Sequence, residues 1–200
     1  MKGTAVDKIC DAMISLLDEK PLEKISVKEL TAAAEVNRSS YSYHFYAKED
    51  VLEAIFRRFN TGLGTIFFKS FRAGASPEQI MTGLKSLIYD YWYRRREEIR
   101  ILKKAGFEAR FTARFTLTLE EMFHQLVFTF TDRNGNSTEL REGDLYDLRI
   151  KHFVFGLVAD LEYWENYGYR IPVDELASIS TSAGDMLLAG VRFKNRRRAD

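Results

Sequence analysis

The stretch Ser26-Val27-Lys28-Glu29-Leu30-Thr31-Ala32-Ala33-Ala34-Glu35-Val36-Asn37-Arg38-Ser39-Ser40-Tyr41-Ser42-Tyr43-His44-Phe45-Tyr46-Ala47-Lys48 decides the fold. Ser26 and Glu29 have capping-box spacing: the serine oxygen takes a backbone N–H of the first turn and the glutamate returns to the serine N–H. A short helix carrying Leu30, Ala33 and Ala34 is predicted to start there. Glu35-Val36-Asn37 interrupts it, and Asn37 is placed to cap a further helix running to about Phe45. On that helix Tyr41 and Phe45 lie four apart, so both can pack with Val36 and Leu30, and Arg38, Ser39, Ser42 and Tyr43 point elsewhere.

Outward from this core the pattern stays helical. Upstream, Ile9, Met13, Leu16 and Leu17 follow the spacing of a helix that buries one face, predicted from about Thr4 to about Asp18 and stopped by Lys20-Pro21. Downstream, Val51, Leu52, Ile55, Phe56 and Phe59 set up a longer helix. Ser76-Pro77 opens another, with Ile80, Leu84, Leu87, Ile88 and Tyr91. Phe107, Phe111, Phe115 and Leu119 recur every four residues along a later one. The polar stretch 131–144 is expected to be a mobile loop, and 145–167 and 172–192 are expected to form the last two helices, before a basic tail at 194–198. The predicted class is all-α: a three-helix N-terminal domain over 1–50 and a larger helical bundle over 51–200.

Composition narrows the function without choosing it. Lys+Arg and Asp+Glu nearly cancel, 30 against 29, so no global basic excess announces a nucleic-acid partner. Cys10 is the one cysteine, which excludes an internal disulfide or a cysteine-based zinc cluster and fits a reducing compartment. The most apolar stretch, 153–161, is far shorter than the roughly 20 residues that cross a bilayer. A cytoplasmic protein is expected.

A short bracing helix, a tight turn and a third helix with one apolar and one polar face are what a helix-turn-helix needs to enter the major groove. Residues 26–48 meet that requirement. With Lys48-Glu49-Asp50-Val51-Leu52 following, the segment resembles the N-terminal signature of the TetR family of transcriptional regulators, over about the first quarter of the chain. More loosely, Phe153-Val154-Phe155-Gly156-Leu157, Tyr163-Trp164-Glu165-Asn166 and Pro172-Val173-Asp174-Glu175-Leu176 are similar to the regulatory-domain ending of many members. Two positions depart from the family pattern: Glu35 stands where a turn glycine is usual, and Ser42 where a phosphate-contacting tyrosine is usual.

The resemblance implies a DNA-binding regulator, read as a repressor, that binds a palindromic operator in double-stranded DNA as a homodimer. It implies that Arg38 and Ser39 probe base edges and that Ser40, Tyr43, His44 and Lys48 hold phosphates, with Ser42 also facing the groove. Arginine suits base reading because its planar fork donates twice to guanine. A dimer seam is expected from Phe153, Gly156, Leu157, Leu161, Ala183 and Leu187 on the last two helices. Tyr89, Trp92, Phe107 and Phe111 are candidates to line a pocket for a small-molecule or protein effector.

Enzymatic readings find little. Glu121 and His124 place a carboxylate and an imidazole at i and i+3, but a helical metal-carboxylate centre needs a second such pair, and Arg149 and Tyr41 stand three residues before the other histidines. No phosphate-binding glycine loop or glycine-flanked nucleophilic serine occurs. No catalytic residue, metal or cofactor is expected. The alternative readings are a helical protein-interaction module, or an activator of the same fold controlled by a protein partner.

Overall fold

The computed structural model describes residues 3–69, 77–131, 137–139, 143–184 and 188–193. The first helix, α1 (Ala5–Glu19), begins with a complete capping box: Asp7 N–H donates to Thr4 Oγ1 at 3.2 Å, and Thr4 N–H donates to the Asp7 carboxylate at 2.9 Å. Ile9, Met13, Leu16 and Leu17 form its buried stripe, as their spacing predicts. Cys10 lies in the same stripe, where burial pushes its thiol up to about 11, so it stays protonated and poorly reactive near neutral pH.

A 3₁₀ turn, Leu22–Lys24, leads to α2 (Val27–Ala33). Here the capping box predicted at Ser26 forms only in part. Ser26 Oγ accepts the Glu29 N–H at 3.2 Å, but the Glu29 carboxylate turns to the Lys20 ammonium. The local pattern permitted either partner, and a lysine nine residues away in sequence prevailed. That contact is the chief cause holding the Glu29 carboxyl below its ordinary range.

The turn after α2 ends it in a Schellman motif: Glu35 N–H donates to Ala32 O at 3.1 Å and Val36 N–H to Thr31 O at 3.1 Å. This geometry puts Glu35 at φ 53°, in the left-handed region. The turn therefore adopts the conformation that glycine favours, with a glutamate in it. A residue with a Cβ is disfavoured there by about 1–2 kcal/mol, partly offset by glycine's greater loss of freedom on folding. Glu35→Gly is therefore expected to stabilise the protein by about 1 kcal/mol, read as a higher denaturant midpoint at unchanged slope. A lower midpoint would mean that the exposed glutamate side chain contributes more than the strain costs.

After the turn come α3 (Arg38–His44), α4 (Lys48–Lys69), α5 (Pro77–Arg94), α6 (Arg96–Lys104), α7 (Glu108–Phe123), β1 (Leu126–Thr131), β2 (Ser137–Glu139), α8 (Asp144–Asn166), α9 (Val173–Gly184) and β3 (Leu188–Phe193). The chain forms two compact units that interleave in sequence. One comprises Met1–Gly62 and Arg95–Phe115, the other Leu63–Arg94 and Thr116–Asp200. The sequence reading places one cut at residue 50. The first unit instead keeps the start of α4 and gathers α6 and the start of α7, because aromatic residues far apart in sequence share its core.

In the first unit Phe59 meets Phe111 edge-on at 5.0 Å and Phe115 at 5.9 Å, and Phe56 lies 5.9 Å from Phe111. Arg58 joins three helices: its guanidinium donates to Asp11 of α1 at 2.6 Å and to Glu98 of α6 at 3.3 Å. Lys104 of α6 adds an ion pair to Asp18 of α1 at 2.9 Å.

In the second unit Tyr89, Tyr146 and Trp164 are large side chains buried in the core. Tyr89 Oη bonds the Asp160 carboxylate at 2.7 Å and Ser180 Oγ at 3.1 Å, linking α5 to α8 and α9. Trp164 Nε1 donates to Ile171 O at 2.8 Å across the α8–α9 connection.

The helical class holds, with one addition: an antiparallel three-stranded sheet in the order β2-β1-β3. Its register pairs Leu126 with Phe193, Val127 with Arg192 and Thr129 with Glu139. Both ends of the stretch read as a mobile loop are thus in or beside regular structure: β2 lies within it and α8 opens at Asp144. The last helix ends at Gly184, short of the predicted residue 192, and 188–193 is strand. β1 reads Leu-Val-Phe-Thr-Phe-Thr, strand-like in composition, but its partner β3 lies some sixty residues on, out of reach of any local pattern. The basic tail and residues 132–136 lie outside the described residues. Among the described residues no helix is long and apolar enough to cross a membrane.

Candidate nucleic-acid interface

The third helix is two-faced. Asn37 caps it, its Oδ1 accepting the Ser40 N–H at 2.7 Å and the Ser39 hydroxyl at 2.8 Å. Tyr41 and Phe45 are buried with their rings 5.7 Å apart, as their spacing predicts. Burial, helped by the Asp50 and Glu49 carboxylates, raises the Tyr41 phenol above its ordinary pKa. On the other face Arg38, Ser39, Ser42, Tyr43 and His44 are exposed and Ser40 is half-buried. The Tyr43 and His44 rings meet edge-on at 4.8 Å. Four expected groove residues, Arg38, Ser42, Tyr43 and His44, are therefore open to a partner. Ser39 is exposed too, but its hydroxyl proton is engaged by the cap, which leaves its oxygen only as an acceptor.

Two contacts tie the start of α4 to the segments that precede it. The Asp50 carboxylate accepts the Tyr46 and Ala47 backbone N–H groups, both at 2.8 Å, and so holds the chain between the helices. Lys48 reaches back across the head, its ammonium donating to Leu22 O and Ile25 O, both at 2.8 Å. The expected phosphate lysine thus also clamps the carbonyls before α2, and one of its three N–H bonds is left for a phosphate.

This double role changes what its removal should do. Lys48→Ala is expected to lower stability by about 2 kcal/mol, the scale of hydrogen bonds from a charged donor. It should also reduce the salt slope of DNA binding by about 1 if the remaining N–H meets a phosphate. A denaturant titration beside a salt titration separates the two effects, and an unchanged denaturant midpoint would contradict the clamp.

Sequence reasoning missed Tyr46. It lies one residue past the cap of α3 and is 102% exposed, while Tyr43 is 84% exposed. Its exposure depends on the chain leaving the helix in extended form at Phe45, φ −136° and ψ 132°. No periodicity could assign that.

The expected dimer seam needs correction. Leu157 and Leu161 are 1% and 0% exposed, inside the subunit's own core. Phe153 is half-buried, 5.2 Å from the Phe123 ring and 5.0 Å from the Lys85 ammonium. Gly156 is exposed, with nothing within 4 Å of a Cβ built on it. Ala183 falls within α9, but its side chain lies outside the described residues, as does the whole of Leu187. The opposite face of α8 carries the exposed apolar side chains Leu148, Phe155 and Tyr163, with Tyr167 exposed just past its end and Ile179 exposed on α9. Apolar residues cover both faces of α8, so its sequence could not say which face its own subunit would cover.

The four candidate pocket residues divide between the units. Tyr89 and Trp92 are buried in the second, whereas Phe111 is buried and Phe107 half-buried in the first. Phe111 is accounted for by its ring contacts and Tyr89 by its hydrogen bonds. Glu121 and His124 belong to no cluster of three or more potential metal ligands among the described residues.

A capped, polar-faced third helix following a bracing helix and a tight turn defines a helix-turn-helix head, and the chain as a whole has the fold of TetR-family transcriptional regulators. It is similar to a putative TetR-family regulator from Syntrophomonas wolfei str. Goettingen, with TM-score 0.62 and 14% identity over 90% of this chain and 92% of that one. It is also similar to the fatty acid degradation regulator FadR from Bacillus halodurans, with TM-score 0.61 and 16% identity over 91% and 95%. A TetR transcriptional regulator from Streptococcus agalactiae 2603V gives TM-score 0.56 and 19% identity over 90% and 92%. At these identities the likeness is one of fold. No family model and no curated protein matches the sequence.

Proposed function

We propose that this protein is a DNA-binding transcriptional regulator, a repressor that reads an inverted-repeat operator as a homodimer. One observation carries the reading: Arg38, Ser42, Tyr43 and His44 are all exposed on a helix whose start Asn37 caps and whose exit Asp50 pins. A surface made of one planar cation, hydroxyls and an imidazole suits the major groove, where bases present donors and acceptors and the flanking phosphates accept. Ser39, Ser40 and Lys48 complete the set as contacts at its edge.

A single short helix reads too few bases to find one site in a genome, so two copies are required. The exposed stripe of Phe155 and Tyr163 on α8, with Ile179 on α9, supports pairing through that face. Control by an effector, a small molecule or a protein, would act through α4. Val51, Ile55 and Phe59 are fully buried on its inner face, and Phe59 rests on Phe111. Displacing Phe59 would tilt the helix whose Asp50 holds the chain at the exit of the reading helix.

The test is selection from a pool of random duplexes followed by sequencing. Enriched inverted repeats with centres about 34–36 Å apart, one DNA turn, are expected. A pool that returns no enriched sequence, with no salt-dependent retention of DNA, would refute the DNA-binding reading and favour a protein-interaction module.

A further inference from the structure

Among its described residues the first unit leaves two large apolar or aromatic side chains strongly exposed, Tyr43 and Tyr46, separated only by His44 and Phe45. Single exposed aromatics are ordinary on protein surfaces. Two within four positions, at the end of the helix that would enter the groove, are a different observation. Tyr46 is moreover presented from a fixed backbone, because its own N–H and that of Ala47 both bond the Asp50 carboxylate at 2.8 Å. A tyrosine held this way has two side-chain torsions left to fix, so ordering it against a partner costs little.

We infer that Tyr46 is a DNA-backbone contact, its phenol donating to a phosphate oxygen at the edge of the groove that α3 enters and its ring lying against the adjoining sugar. This rests on the DNA-binding reading above. Tyrosine hydroxyls are among the groups that bond phosphates and fix a protein's register on the duplex without reading sequence. Tyr46 is neutral, so its contact carries a signature that separates it from Lys48. Loss of a neutral contact releases no fewer counterions, and the salt slope stays where it was.

The experiment measures the anisotropy of two labelled duplexes of about 30 base pairs, long enough for two half-sites. One duplex is taken from the selected pool and the other is an unrelated sequence. Wild-type protein is compared with Tyr46→Ala, Tyr46→Phe and, as a control, Leu117→Ala, which removes an exposed side chain of the second unit. Tyr46→Ala is expected to bind both duplexes about tenfold more weakly, by the same factor at every salt concentration, and Tyr46→Phe is expected to show most of that loss. Because Tyr46 is fully exposed, both variants should melt like wild type. Wild-type affinity in Tyr46→Ala or in Tyr46→Phe, a changed salt slope, or an equal loss in Leu117→Ala would overturn the inference while leaving DNA binding in place. Failure of wild-type protein to bind either duplex would instead overturn the DNA-binding reading, and this inference with it.

Discussion

Arg38→Ala is expected to bind its selected operator with the preference over unrelated DNA reduced by about 1–3 kcal/mol, the worth of one bidentate base contact. The helical fold should persist. Arg38 is the first residue of α3 and is exposed, and the cap that starts the helix uses Asn37, Ser39 and Ser40 but not the guanidinium. Alanine is also a better helix former than arginine, so no local cost opposes the change. The loss should concentrate at one base pair of each half-site, because a fork that bonds two acceptors of guanine cannot do so with the other bases. Binding to the selected operator and to a panel of single-base variants measures this. If Arg38→Ala kept the wild-type ranking of those variants, the groove-facing assignment of α3 would be wrong.

The second large effect concerns assembly. Phe155→Glu, on the exposed face of α8, should yield a folded monomer whose affinity for the inverted repeat falls by orders of magnitude. Phe155 is 59% exposed in the subunit, so glutamate there costs the isolated chain little. In a dimer packed through that face the same carboxylate would be buried without a partner, at about 3–5 kcal/mol on each side. Leu157→Glu, two residues on, should act otherwise. Leu157 belongs to the subunit's own core, and a charge there should unfold the second unit before assembly is in question. Light scattering with circular dichroism distinguishes the outcomes: a folded monomer for Phe155→Glu and lost helicity for Leu157→Glu. A Phe155→Glu variant that stayed dimeric would move the interface off this face.

The reading head was legible because its signals are local. Asn37 as cap, Tyr41 and Phe45 as the buried pair and Arg38, Ser39, Ser42 and Tyr43 as outward residues all follow from spacing within one or two helical turns, and the structure caps the helix with Asn37, buries the pair and exposes those four. Glu35 shows where such reading runs out. The sequence reported the missing glycine but not the outcome, because the Schellman bonds to Thr31 and Ala32 decide the turn. Lys48 is similar: its position at the start of α4 is visible in the sequence, while the two carbonyls it clamps lie 23 and 26 residues upstream.

By itself, then, the sequence determined the helical class and the two-faced third helix, since a helix's faces are set by a period of 3.6 residues and its ends by neighbouring side chains. The tertiary structure alone decided which apolar face of α8 its own subunit covers, that β1 pairs with β3, and that the aromatics of α4 and α7 share one core. Those outcomes depend on contacts between segments distant in the chain, where packing chooses among partners that local spacing leaves equivalent.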